Sequence, residues 1–190
     1  MQPLLERLMT TFPDAVRGVE VDTARNEITA RVAAARIVDV ARWLHDTPDA
    51  SFDHITDICS VDYPNDPERF EVVYQLLSLA HRRRIRLKAR VTEDAPQIAS
   101  VTGIWKGAEF MEREVYDLMG ITFVGHPDLR RILLPEDYEE GHPLRKDFPT
   151  EGRGWRSSFP FIPRLDEAPE EQTEGEVPEQ EKQAYLVAEH

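Results

Sequence analysis

RFEVVYQLLSLAHRRRIRLKARVT, residues Arg69–Thr92, contains two strands and the turn between them. In its second half Arg84, Arg86, Lys88 and Arg90 fall on one side and Ile85, Leu87, Ala89 and Val91 on the other. That period of two is the pattern of a half-buried strand, and a core needs only the apolar set. Arg69–Leu79 is rich in Val, Tyr and Leu, so a hairpin around Ala80–Arg83 is expected. The four cations have two candidate roles. They are either solvated residues that discourage edge pairing, or a contact for an acidic partner surface.

Upstream, Phe52–Tyr63 reads as another strand, closed by the breaker Pro64-Asn65-Asp66-Pro67. The lone cysteine, Cys59, lies in it and is expected to be a buried, inert thiol. Arg36–His45 places Ile37, Val40, Ala41 and Leu44 at helical spacing and stops before Thr47-Pro48. Gly18–Asp22 and Glu27–Val32 read as strands, and Pro3–Phe12 as a short amphipathic helix. Downstream come a short helix at Gln97–Val101 and a longer one over 107–119. The order α-β-β-α-β-β-β implies an α+β, two-layer domain with helices on one side of a sheet. Residues 1–120 form that domain, 121–165 an extended strap broken by prolines, and 166–190 an acidic, disordered tail.

Charge supports the division. The chain carries 23 Lys and Arg against 36 Asp and Glu, a net −13. Residues 166–190 hold nine of those acids and one base, so the remaining body is only mildly acidic. Nucleic acid is thereby excluded as an expected partner, because phosphate contact demands a broad basic surface. No apolar run approaches the roughly 20 residues of a membrane span, and the opening MQPLLERLMTTFPD has no basic n-region before an apolar stretch. A cytoplasmic chain is expected. One cysteine also leaves no all-cysteine metal or iron–sulfur site within it.

The chain carries none of the common catalytic signatures. The six histidines, His45, His54, His81, His126, His142 and His190, form no HExxH. There is no phosphate-binding glycine loop, and Gly152-Arg153-Gly154 lacks the flanking strand and helix of a dinucleotide site. No serine occupies a strand–turn–helix elbow. His126 and His142 both stand in Gly-His-Pro and supply too few ligands for a metal by themselves.

One run remains: Met111–Pro149, MEREVYDLMGITFVGHPDLRRILLPEDYEEGHPLRKDFP. It opens as a helix, breaks at Gly120 and continues without periodicity, which marks a functional loop or one laid on another surface. Glu112, Arg113, Glu114 and Asp117 crowd the helix. Their simplest reading is a solvated charged face with an i, i+4 pair between Arg113 and Asp117. A second reading has Arg130, Arg131, Arg145 and Lys146 reach back to those acids and fix a strap that lacks its own ladder. A third has paired carboxylates doing acid–base work in a stand-alone enzyme.

The stretch Glu112–Ile132, with Glu-Arg-Glu, Val115-Tyr116, Asp117, Leu118-Met119, His126, Arg130 and Ile132, resembles the signature of one family of NADH-quinone oxidoreductase subunits. This is the hydrophilic subunit of respiratory complex I known in mitochondria as the thirty-kilodalton subunit. Gly103-Ile104-Trp105, Gly125–Leu133, Gly141–Pro149, Ile58–Tyr63 and Arg69–Leu79 resemble the same family in the same order. The resemblance spans residues 1–150 and does not reach the acidic tail.

What the resemblance implies is a structural role. It implies a mixed sheet and a non-catalytic subunit of the peripheral arm of a proton-translocating NADH:quinone oxidoreductase. No cofactor is bound by this chain, while FMN and iron–sulfur clusters sit in partner subunits. The implied partners are the quinone-site subunit, which helps to form the pocket for quinone, and the neighbouring iron–sulfur subunits. The implied location is peripheral, at the cytoplasmic face of the bacterial cell membrane, with membrane contact only through the complex. Glu112, Arg113, Glu114, Asp117, His126, Arg130, Arg131, Pro143, Leu144, Arg145, Lys146, Asp147 and Phe148 take interface and strap-fixing roles. The alternative is the equivalent subunit of a membrane-bound hydrogenase, formate hydrogenlyase or coenzyme F420 dehydrogenase complex.

Overall fold

Strand pairing begins with the expected hairpin. β4 (Phe70–Ser78) and β5 (Arg83–Val91) are antiparallel, with Phe70 opposite Val91 and Tyr74 opposite Leu87. The structure, a computed structural model, describes residues 2–22 and 27–154. Before the hairpin come α1 (Gln2–Thr11), β1 (Val16–Asp22), β2 (Glu27–Ala33), a 3-10 turn, α2 (Ile37–Asp46) and β3 (His54–Asp62). After it come β6 (Gln97–Ala99), α3 (Ala108–Met119) and β7 (Thr122–Val124). The architecture is α+β, and the expected order of elements holds through β5. The boundary drawn near residue 165 and the tail at 166–190 lie outside the described residues.

The five-stranded sheet runs β1-β2-β5-β4-β3. All neighbours are antiparallel except β2 and β5, which are parallel, so the sheet is mixed. Its inner face carries Ile28, Ala30, Val32, Ile58, Phe70, Val72, Tyr74, Leu76, Ile85, Leu87 and Ala89. These share one core with Leu4, Leu5 and Leu8 of α1, Ile37, Val40 and Leu44 of α2, and Ala108, Val115 and Met119 of α3.

Three expectations are corrected. β5 is the central strand, so its cations do not guard an edge. On the outer face Lys88 and Arg90 instead bind the buried Glu71 carboxylate, at 2.9 and 3.1 Å. Residues 97–101 are not a helix. Such a short helix gains too few internal hydrogen bonds to persist, whereas Ile98 pairs in parallel with Phe123 and both are buried. Cys59 is exposed. Ile55 and Ile58 are three residues apart yet both point inward, which a bulge between Ile55 and Asp57 permits, and Cys59 then faces outward.

Candidate functional site

α3 lies against β3 and carries the charged cluster. Three of the four charges point inward: Glu112, Arg113 and Asp117 are 0, 6 and 2% exposed, while Glu114 is exposed. A solvated face is therefore the wrong description for those three. The i, i+4 pair is absent as well, because both partners are engaged by the strap.

Arg113 donates through Nε and Nη2 to the carbonyls of Arg130 and Arg131, at 3.1 and 2.8 Å. Asp117 Oδ2 accepts three successive backbone N–H groups, from Ile132, Leu133 and Leu134, at 3.1, 2.8 and 2.8 Å. The Arg131 guanidinium lies 3.9 Å from the other oxygen. A loop with no ladder thus satisfies its backbone on side chains of the helix beneath it. Glu112 is bonded differently: Oε1 accepts the Val101 N–H at 2.7 Å and Oε2 accepts the Ser100 hydroxyl at 2.6 Å. Burial pushes its carboxyl above the usual glutamate range, against the pull of those two donors.

The C-terminus of α3 is capped by Gly120 and by the strap. A helix leaves its last four carbonyls without internal partners. Here Tyr116 O accepts from Gly120 N, Asp117 O from His142 Nδ1, Leu118 O from Leu144 N and Met119 O from Arg145 Nε, at 2.9, 2.9, 3.1 and 2.8 Å. Gly120 turns the chain with φ +73°, and an added Cβ would collide with the His142 ring and lie 2.6 Å from Arg145 Nη2. Burial lowers the His142 pKa below its ordinary value.

His126 sits nearer the other end of the helix. Its Nε2 bonds Glu109 O at 3.0 Å, and Nδ1 accepts the Asp128 N–H at 3.0 Å. That pairing selects the neutral tautomer with the proton on Nε2. The two histidines are thus bonded separately, each to a carbonyl of α3. Among the described residues, no group of three His, Cys, Asp or Glu is arranged to hold a metal ion.

Past His142 the strap is anchored to the ends of β3 and β4. Asp62 and Arg69 form a buried two-bond pair at 2.7 and 2.8 Å. Asp62 Oδ2 also accepts the Lys146 N–H at 2.8 Å, and Arg69 donates to Asp147 at 2.9 Å. The Arg69 guanidinium holds the Asp62 carboxyl below the usual carboxylate range. Arg69 and Arg145 both lie over the Phe70 ring, at 5.0 and 4.9 Å. Arg153 covers Phe148 in the same way, at 5.3 Å.

The expected site residues therefore gather on α3 and its strap; of the four strap cations Arg131 approaches a helix acid, Asp117, while Arg145 bonds the Met119 carbonyl instead. Arg130 is exposed and pairs with Asp128, and the Lys146 side chain is exposed. Phe110, Leu133 and Leu144 are about 60% exposed, and Ile132 is also exposed. Sequence reasoning missed Asp62, Arg69 and Ser100 as site residues. For the first two a signal existed, namely opposite charges flanking the Pro64–Pro67 turn at the mouth of two pairing strands.

The family model described as the respiratory-chain NADH dehydrogenase, 30 Kd subunit, matches residues 30–154. The corresponding NADH-quinone oxidoreductase subunit from Roseiflexus sp. (strain RS-1) is 50% identical over 146 residues, covering 77% of this chain and 82% of that protein. Its counterpart in Xanthobacter autotrophicus (strain ATCC BAA-1158 / Py2) is 50% identical over 152 residues, 80% of this chain and 71% of its own length. Among solved structures, the trypsin-resistant fragment (1-134) of Nqo5 superposes with a TM-score of 0.56 at 32% identity, covering 67% of this chain and 98% of the fragment. A chain of the membrane-bound sulfane sulfur reductase, an archaeal respiratory membrane complex, shares the fold at a TM-score of 0.70 and 23% identity, over 93% of this chain and 98% of that one. With the match running from β2 through α3 to the end of the described strap, this chain belongs to the family of the 30 kDa subunit of respiratory-chain NADH dehydrogenase, the NADH-quinone oxidoreductase of bacteria.

Proposed function

We propose that the chain is a non-catalytic structural subunit of the peripheral arm of a proton-translocating NADH:quinone oxidoreductase. In this reading it packs against the quinone-site subunit and supports electron transfer from NADH through FMN and iron–sulfur clusters, held by other subunits, to quinone. It sits on the cytoplasmic face of the membrane and reaches the bilayer only through the complex. No described helix is long and apolar enough to cross a membrane.

One observation carries the reading. The charged groups of the signature helix hold a loop whose apolar side chains, Ile132 and Leu133, are exposed, and Phe110 of the same helix is exposed as well. A fixed apolar protrusion is what a docking surface requires, since ordering before contact lowers the entropy lost on binding. A catalytic reading would need those carboxylates open to a substrate, and Glu112 and Asp117 are buried. The test is affinity purification of the tagged chain from its own membranes. Co-purification with the quinone-site subunit, iron–sulfur subunits and an NADH-oxidising flavoprotein is expected. A hydrogenase or F420-oxidising module in place of the flavoprotein would move the chain to a related assembly. Recovery of the chain alone would overturn the scaffold role.

A further inference from the structure

Glu112 has no part in holding the strap, and its surroundings are unusual for a buried carboxylate. Buried charges are ordinarily paired with a cation. Among the described residues no ammonium or guanidinium bonds this one. Its two hydrogen bonds come from a backbone N–H and a serine hydroxyl. The facing titratable groups are Tyr74 of β4, which is fully buried with a hydroxyl that finds no partner among the described residues, and His126 of the strap. His126 accepts from Asp128 N and lies within hydrogen-bond distance of Glu109 O, so neither ring nitrogen is turned to Glu112.

Ser100 makes three contacts. Its Oγ lies 2.6 Å from Glu112 Oε2 and 2.8 Å from Thr102 Oγ1, and it accepts the Thr102 N–H at 3.2 Å. A hydroxyl has one donor and two acceptor positions. With Glu112 ionised, Ser100 donates to the carboxylate and accepts from both Thr102 groups. With Glu112 neutral, the carboxyl O–H donates to Ser100, which still accepts from Thr102 N and turns its own proton to Thr102 Oγ1. Both states use all three positions of Ser100, and Val101 N–H remains on Oε1 in each. Ser100 and Thr102 are themselves only half-buried, so the relay leads from a fully buried carboxyl towards solvent.

We propose that Glu112 is an internal proton-binding site, loaded and unloaded through the Ser100–Thr102 hydroxyl pair. A proton arriving at Thr102 releases the Ser100 proton to Oε2, and the reverse motion returns it. No other bond is made or broken. The carboxyl and both hydroxyls belong to this chain.

The two hydroxyls affect the titration in opposite directions. Ser100 donates to the charged form, and a hydrogen bond to a charged group is stronger than one to a neutral group. Thr102 Oγ1 is the acceptor that the neutral state requires. The experiment follows the Glu112 side-chain carboxyl carbon by 13C NMR in the full chain between pH 3 and 9, assigned with Glu112→Gln. Its midpoint is expected at higher pH than those of the exposed glutamates. Ser100→Ala should move it further up, and Thr102→Val should move it down. A wild-type midpoint among the exposed glutamates would overturn the proposal. So would shifts of the same sign, or none, in the two hydroxyl variants. If Glu112→Gln does not fold, a through-bond assignment serves in its place and the two hydroxyl variants still decide.

Discussion

Glu112, Arg113 and Asp117 have the side-chain chemistry of helix-surface residues and the burial of core residues. Each is bonded there to backbone or hydroxyl groups of an irregular segment, although Asp117 Oδ1 makes no hydrogen bond and has only the Arg131 guanidinium 3.9 Å away. For Glu112 this arrangement has a pH signature. Its carboxyl titrates higher in the folded chain than unfolded, so the folded state holds the extra proton between the two values. Stability is then greatest below the ordinary glutamate range and falls as pH rises through the raised value, after which the loss is constant. Glu112→Gln cannot ionise and keeps acceptor and donor groups for Val101 and Ser100. Its melting temperature should match wild type near pH 4 and exceed it by a few degrees at pH 7, with roughly 2–4 °C expected per kcal/mol. Differential scanning calorimetry at both pH values checks this, and a constant difference would count against it. The residue types in this cluster were legible from sequence. Their orientation was not, because the acids and the apolar residues Val115 and Met119 interleave around the helix.

At the scale of elements, α3 and its strap form one unit, joined through three helix-end carbonyls, those of Asp117, Leu118 and Met119. Gly120 is its hinge point: L residues resist φ +73°, and the space a Cβ needs is filled by His142 and Arg145. Gly120→Ala combines the left-handed penalty with loss of one or both caps on Asp117 O and Met119 O. It should destabilise the chain by about 2–4 kcal/mol and speed proteolytic cleavage around 141–149. A denaturant titration with limited proteolysis measures both. Unchanged cleavage would mean that the strap is held at its Asp62–Arg69 end alone. The strands of the main sheet and α3 were readable because period two and period 3.6 are local signals. β6 and β7 were not, since three-residue strands show no period and exist through a pairing across α3. The central place of β5 was hidden for the same reason: parallel pairing with β2 leaves no local mark.

For the whole molecule, the charge comb on the outer sheet face and the apolar protrusion over α3 are different kinds of surface. The comb is largely neutralised within the chain, by Glu71, Asp66 and Glu27. The protrusion has no such cover among the described residues. Leu133→Asp should leave stability within about 0.5 kcal/mol, since the side chain is exposed. If Leu133 anchors the partner contact, the loss of about 2 kcal/mol would weaken capture of partner subunits about thirtyfold. Quantitative co-purification from membranes, beside a melting curve of the isolated chain, separates the two effects. Normal capture would move the contact elsewhere on the strap. The α+β class was legible from the order of elements through β5, and the strap's anchoring was legible in outline, but its partners in space were not.

The parallel junction of β2 with β5 also dictates an order of events at the ribosome. Thr29 is made early and its partner Arg86 late, with α2, β3 and β4 synthesised between them. The β1–β2 hairpin and α1 therefore emerge with an unfilled strand edge and an apolar face that nothing yet covers. Closing that junction brings distant parts of the chain together, the slow kind of step in folding. The edge of β2 therefore stays open until β5 has left the exit tunnel.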